Sequence, residues 1–158
     1  MKKLLLIRHA KATHETGYAD FERPLKYSGL QDAAIMAARL QEHSLIPQIL
    51  ISSPALRALT TANIFTEHLS LPQAGTNINI YEADNDALIT IVEELPNDHD
   101  FIGLVGHNPG FSQLLYYLTG QIRDVETCAT VLIQFELDEW GAIGNNSGSI
   151  VYYSSPVQ

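Results

Sequence analysis

Cations are scarce in this chain. Nine of its 158 residues are Lys or Arg against 18 Asp or Glu, a formal net charge of −9. A nucleic-acid backbone is excluded as the expected partner, because binding there needs a cationic face. Cysteine is nearly absent: Cys128 stands alone, so no disulfide framework forms within the chain, which suits a reducing compartment. No apolar run approaches the ~18 residues of a membrane span. Met1-Lys2-Lys3 and the leucines after it imitate a signal peptide, but Arg8 ends the apolar run Leu4-Leu5-Leu6-Ile7 too early for an h-region. The expectation is a cytoplasmic protein with no membrane partner. There are no repeats, low-complexity tracts or linkers, so residues 1–158 are read as one domain, long enough for a real core. A Gly-rich phosphate loop with Lys-Ser/Thr is also missing, which argues against nucleotide hydrolysis of the P-loop kind.

The few cations present are unevenly placed. Lys2, Lys3, Arg8, Lys11, Arg23 and Lys26 lie in the first 26 residues, and after Arg57 the only basic residue is Arg123, against 13 acids. A few arginines converging on one cleft can hold an anion against an otherwise repulsive field.

Apolar periodicity gives the fold class. Leu4–Ile7 reads as a buried strand, followed by a long polar loop over 10–27. Ser28 reads as the N-cap of a helix to about His43, carried by Leu30, Ala33, Ala34, Ala37, Ala38 and Leu40 at helical spacing. Ile49–Ile51 is a second strand, with Ser53-Pro54 opening a helix to about Leu69. Ile78–Tyr81 alternates and reads as a third strand, and Asp84 or Asn85 caps a helix through Leu95. Phe101–Val105 is a fourth strand, buried on both faces, and Phe111 to about Leu118 is a helix. Ala129–Leu137 and Ser149–Tyr153 read as an antiparallel edge hairpin joined by a Gly/Asn-rich turn. The sum is an α/β protein with a mostly parallel sheet, helices on both faces and an antiparallel C-terminal edge.

In such a sheet the strand exits share one edge, where ligands bind. Arg8-His9 follows the first strand, Ser52-Ser53-Pro54 the second with Arg57 one turn on, Glu82 the third, and Gly106-His107-Asn108 the fourth. Each has an ordinary structural explanation alone: a surface ion pair for Arg57, a dipole-favoured acid for Glu82, a tight turn around His107. His14, His43, His68 and His99 are read as such ordinary residues. Two arginines, two histidines and a carboxylate at one edge form a site. A metal is the rival ligand, but arginines repel a cation and no His-x-x-His or His-x-x-x-His pair occurs. No metal and no cofactor are expected. The chemistry that fits is phosphoryl transfer. His9 attacks phosphorus, Arg8, Arg57 and His107 hold the phosphoryl oxygens, and Glu82 protonates the leaving group.

These residues resemble a known family. Leu6-Ile7-Arg8-His9-Ala10 is similar to the Arg-His-Gly signature of the histidine phosphatase superfamily, with alanine in the glycine place. Ser52 to Ala58 with Thr60-Thr61-Ala62, and Val105 to Gly110, resemble its second arginine and second histidine segments. His9-Ala10-Lys11-Ala12 and Arg23-Pro24-Leu25 before Gly29 resemble the SixA-type phosphohistidine phosphatase branch. The resemblance implies a phosphoglycerate-mutase-like three-layer αβα sandwich and a phosphohistidine intermediate on His9. It implies Arg8, Arg57 and His107 as the phosphate pocket, with Arg23 as an extra contact. The large insertions of mutases are missing, so the implied cleft is shallow enough for a phosphohistidine borne on a protein. The expected function is therefore a metal-independent phosphatase of phosphohistidine in a protein. The alternatives are a phosphatase of small phosphate monoesters and a non-catalytic phosphate-binding module.

Overall fold

The computed structural model describes residues 1–157. Four parallel strands build one side of a six-stranded sheet: β1 (Lys2–Arg8), β2 (Ile49–Ser52), β3 (Gly75–Thr76) and β4 (Phe101–Gly106). β5 (Thr130–Phe135) and β6 (Gly148–Ser154) run antiparallel, and the order is β3-β2-β4-β1-β5-β6. The helices are α1 (Tyr27–Glu42), α2 (Leu56–His68), α3 (Asn85–Glu93) and α4 (Gly110–Thr119).

Alternation along β1 distributes its side chains to two cores. Leu5 and Ile7 pack with Met36, Ala37 and Phe65 of α1 and α2. Leu4 and Leu6 pack with Val92, Leu115 and Trp140 on the α3 and α4 side. Burial of each such side chain stabilises the fold by roughly 1.5–3 kcal/mol. Lys2 is buried too, its Nζ donating to Asn97 O at 2.9 Å and pairing with Asp100 at 2.8 Å beside the Trp140 ring. The residue that imitates a signal-peptide start is thus part of the sheet.

Three expectations need correction. Ile78–Ile80 is a 3-10 turn, and the third strand is the two-residue β3 just before it. The Asn77 side chain accepts from Asn79 N at 2.9 Å, a local bond that competes with extended backbone. Ser28 does not cap α1, which begins one residue earlier behind Lys26. Ser53-Pro54 does not open α2, whose N-cap is Ala55. The C-terminal pair stands as expected, antiparallel at one edge of the sheet: β5 lies against β1, β6 is outermost, and the connection includes the 3-10 turn Trp140–Ala142.

Register places the strand exits together. Arg8 pairs with Gly106 across β1 and β4, and Ser52 pairs with Val105 across β2 and β4. The ladder continues one residue further on both sides. His9 N donates to Gly106 O at 3.0 Å and Ser53 N donates to Val105 O at 2.9 Å. His9, Ser53 and His107 therefore leave the sheet at one level.

Candidate active site

His9 is 8% exposed, and its backbone is clamped on several sides. Cys128 N donates to His9 O at 3.1 Å, and Ala10 N donates to Thr61 Oγ1 at 3.0 Å. Thr61 Oγ1 donates back to Arg57 O at 2.7 Å, so the first strand exit and the first turn of α2 are tied together. The His9 ring is oriented by its own chain: Nδ1 lies 2.8 Å from Ala10 O, which requires Nδ1 to carry the proton. Burial, with further pressure from Arg57, Arg8 and Arg23, pushes the His9 pKa down to about 4. At neutral pH the imidazole is uncharged and Nε2 holds a free lone pair.

Around it lies a cavity of about 400 Å³ lined by Arg8, Arg57, Arg23 and His107. Arg8 Nη1 donates to Val125 O at 2.9 Å, a carbonyl shared with Asn108 Nδ2 at 2.9 Å. The loop after β4 is thereby fixed to the segment that holds Arg8. His107 lies 5.2 Å from His9 between ring centroids. Its Nε2 is 2.8 Å from Ser53 Oγ, which in turn accepts from Ala55 N at 3.2 Å. The Ser53 hydroxyl, with one proton and two lone pairs, donates to Nε2 when His107 carries its proton on Nδ1 and accepts from Nε2–H in the other tautomer. Burial, then His9 and Arg57, hold the His107 pKa down to about 3.

Three buried nitrogens in this cluster have no hydrogen-bond partner: Arg8 Nε, Arg57 Nε and His107 Nδ1. An unsatisfied buried donor costs roughly 1–3 kcal/mol. All three belong to residues that line the one cavity beside His9. Among the described residues, no three His, Cys, Asp or Glu side chains are grouped to hold a metal ion.

Residues 4–86 match the family model of the histidine phosphatase superfamily, branch 1. The chain belongs to the histidine phosphatase superfamily. Over 150 residues it is 25% identical to an uncharacterized chloroplastic protein of Arabidopsis thaliana, covering 88% of this chain and 69% of that one. The fold is that of the protein histidine phosphatase SixA complexed with tungstate. That comparison gives a TM-score of 0.85 at 21% identity, over 98% of this chain and 97% of the other. SixA from Agrobacterium tumefaciens superposes with a TM-score of 0.83 at 20% identity, over 98% of both chains. The expected phosphoglycerate-mutase-like α/β architecture is thus present, and the protein is a phosphatase.

Two more acids stand near the cluster of this histidine phosphatase. Glu82, expected as the proton donor, follows a 3-10 turn rather than a strand and has a left-handed backbone, φ 55°. Its side chain is exposed and lines a neighbouring cavity of about 430 Å³ with Arg57 and His107, not the cavity that holds His9. Asp20 was not singled out from the sequence, yet it contacts more of the cluster. Its Oδ2 accepts from Arg57 Nη2 at 3.1 Å and from the Tyr81 hydroxyl at 2.5 Å. Its Oδ1 accepts from Arg23 Nε at 3.1 Å, and its main-chain O accepts from Arg57 Nη1 at 2.7 Å. The Tyr81 bond, then Arg57 and Arg23, hold its pKa down to about 2. Tyr81 rises correspondingly to about 12 because its proton is held by Asp20. The only advance signal was the Asp20–Arg23 spacing of three residues.

Asp20 therefore keeps a negative charge on two arginines that line this cavity. Asp20→Asn retains the acceptor for Tyr81 and Arg57 but removes that charge. Inorganic phosphate should then inhibit several-fold more tightly, read as Ki at fixed pH. An unchanged or weaker Ki would mean that the carboxylate serves only to position Arg57.

The two depressed histidines also set an acid limit to stability. Their folded pKa values lie below the ordinary 6.5. The unfolded chain consequently binds more protons, and stability present above about pH 6.5 is lost as the pH falls toward 4. Urea midpoints should decline across that window. Replacing both histidines with glutamine should flatten the decline, and an unaltered slope would place the acid sensitivity elsewhere.

Proposed function

We propose that this protein is a SixA-type phosphohistidine phosphatase in which His9 is the nucleophile. The observation that carries the reading is the His9 ring, neutral, with Nδ1–H held by Ala10 O and Nε2 left for the arginine-lined cavity. His9 Nε2 attacks phosphorus, and the new N–P bond forms as the bond to the substrate's imidazole nitrogen breaks. The substrate imidazole leaves neutral because its other ring nitrogen carries a proton. Ala10 O stabilises the cationic phospho-His9 through Nδ1–H. Water then attacks phosphorus, releases inorganic phosphate and restores His9. Arg8, Arg57 and His107 supply donors to the oxygens, where negative charge is carried in the transition state.

The substrate class follows from the leaving group. Among the described residues, no Asp or Glu lines the His9 cavity. Imidazolium has an ordinary pKa near 6.5, far below that of an alcohol, so its departure needs little help from an enzyme acid. One observation favours the ester reading: Glu82 lines the adjoining cavity together with Arg57 and His107. Turnover of a histidine-phosphorylated phosphotransfer domain, compared with sugar and aryl phosphates, separates the two. The phosphoprotein should win by at least about tenfold in kcat/KM. Preference for the esters would sink the phosphohistidine reading, and lost ester turnover in Glu82→Gln would then identify the acid. A non-catalytic phosphate-binding module, the remaining alternative, would turn over neither.

A further inference from the structure

The His9 cavity has a second tier of polar side chains beyond Arg8, Arg57 and His107. Lys11, His14 and Lys26 line it alongside Arg23, and all three are exposed. With Arg8 and Arg57, five of the nine Lys and Arg residues in a chain of net charge −9 face this one cavity. Among the described residues, neither Lys11 nor Lys26 has an ion-pair partner; the acid pairs of this region go to Arg23 and Arg57 through Asp20.

The two lysines are held side by side by the backbone. Lys26 N donates to Lys11 O at 2.9 Å, and Ala12 bridges to Leu25 in antiparallel fashion. Gly29 permits the approach: a Cβ there would stand 2.3 Å from Lys11 O. Like charges held on adjoining strands repel one another. Folding gains nothing from that arrangement at an exposed rim, whereas an incoming anion does. The adjoining cavity, which shares Arg57 and His107 with this one, has the other sign, since Glu82 and Asp84 line it. The cleft is thus polarised, cationic toward Lys11 and Lys26 and acidic toward Glu82.

We infer that Lys11 and Lys26, with His14, form a docking rim for an acidic polypeptide segment flanking the phosphorylated histidine. The inference rests on the phosphohistidine reading above and names the surroundings of its substrate. The rest of the surface repels an acidic partner, but at ~8 Å Debye length only nearby charge is felt strongly. A local pair of mobile ammonium groups therefore decides which flank is accepted and in which orientation.

The test uses two histidine-phosphorylated peptides of equal length, one with four acidic residues around the histidine and one with four serines. Free N-phosphohistidine serves as the small phosphoramidate. Wild type should favour the acidic peptide about tenfold in kcat/KM at low salt, through KM, and the preference should fade toward 0.5 M salt, roughly, as screening grows. The double substitution Lys11→Glu/Lys26→Glu should reverse the preference and lower turnover of free phosphohistidine far less than that of the acidic peptide. Equal KM for both peptides in wild type, or an equal loss on free phosphohistidine in the variant, would overturn the rim. Wild-type failure on all three phosphoramidates would overturn the phosphohistidine reading itself and this inference with it.

Discussion

His9→Ala is expected to lower turnover by about 10⁴-fold or more, because the change removes the attacking atom rather than a supporting contact. Wild type should accumulate acid-labile phosphate on the protein when quenched in turnover, and the variant should accumulate none. The loss should not be a loss of fold. His9 contributes its main-chain N and O to the strand exit, to Gly106 and Cys128, and alanine keeps both. Anion binding should also survive, since Arg8, Arg57 and His107 remain. Thermal protection by phosphate in His9→Ala separates a missing nucleophile from a missing pocket. Residual activity within tenfold of wild type would exclude covalent catalysis through His9. The wild-type pH profile adds a second check. With its pKa near 4, His9 stays unprotonated to well below neutrality. Activity should therefore hold between pH 7 and about 5 and fall only as the imidazole begins to charge.

The parts of this site set by strand geometry were legible before any coordinates. Arg8, His9 and His107 follow strands whose apolar runs are unmistakable, and parallel pairing brings strand exits together whatever the loops do. Arg57 was legible because it lies in the first turn of the helix that follows β2. Glu82 was misplaced for a local reason. The alternation Ile78-Asn79-Ile80-Tyr81 has the period of a strand, yet the Asn77 side chain closes a turn that a period count does not register. Ser53 was read as a helix cap. Its hydroxyl does accept a backbone N–H, but it also faces His107 across 54 residues of chain, and no local pattern encodes that second bond. Asp20 was invisible for a related reason. It sits on an 18-residue loop whose path is fixed by distant partners, Arg57 and Tyr81, rather than by its own periodicity. Loop residues that complete a site through long-range polar bonds are the hardest to read, because their placement follows from the fold and not from neighbours in sequence.

Arg57→Ala should cost about 10²–10³-fold in kcat/KM, the usual consequence of deleting one oriented donor at a charge-developing centre. Three features of this arginine enlarge the effect. It is 6% exposed, so the lost charge acted where water screens weakly. Its Nε is buried without a partner in a residue that lines the His9 cavity. Its two Nη atoms hold Asp20, at 2.7 Å through the main-chain O and at 3.1 Å through the carboxylate. Removing the guanidinium therefore deletes an attraction and also leaves a carboxylate at the cleft, held only by Arg23 and Tyr81 and repelling the substrate. The double variant Arg57→Ala/Asp20→Asn should accordingly recover several-fold of the loss, a non-additivity expected for residues in one network. Arg57→Lys should rescue less than its charge suggests, since an ammonium cannot reproduce the planar fork. Arg57 also helps depress the His9 pKa, although burial is the larger cause. The acid limb of the pH–rate profile in Arg57→Ala should move upward while staying below the ordinary value of 6.5. A loss under fivefold, with no shift of the acid limb and no rescue by Asp20→Asn, would show that Arg57 braces the loop over 10–26 and does not act on the phosphoryl group.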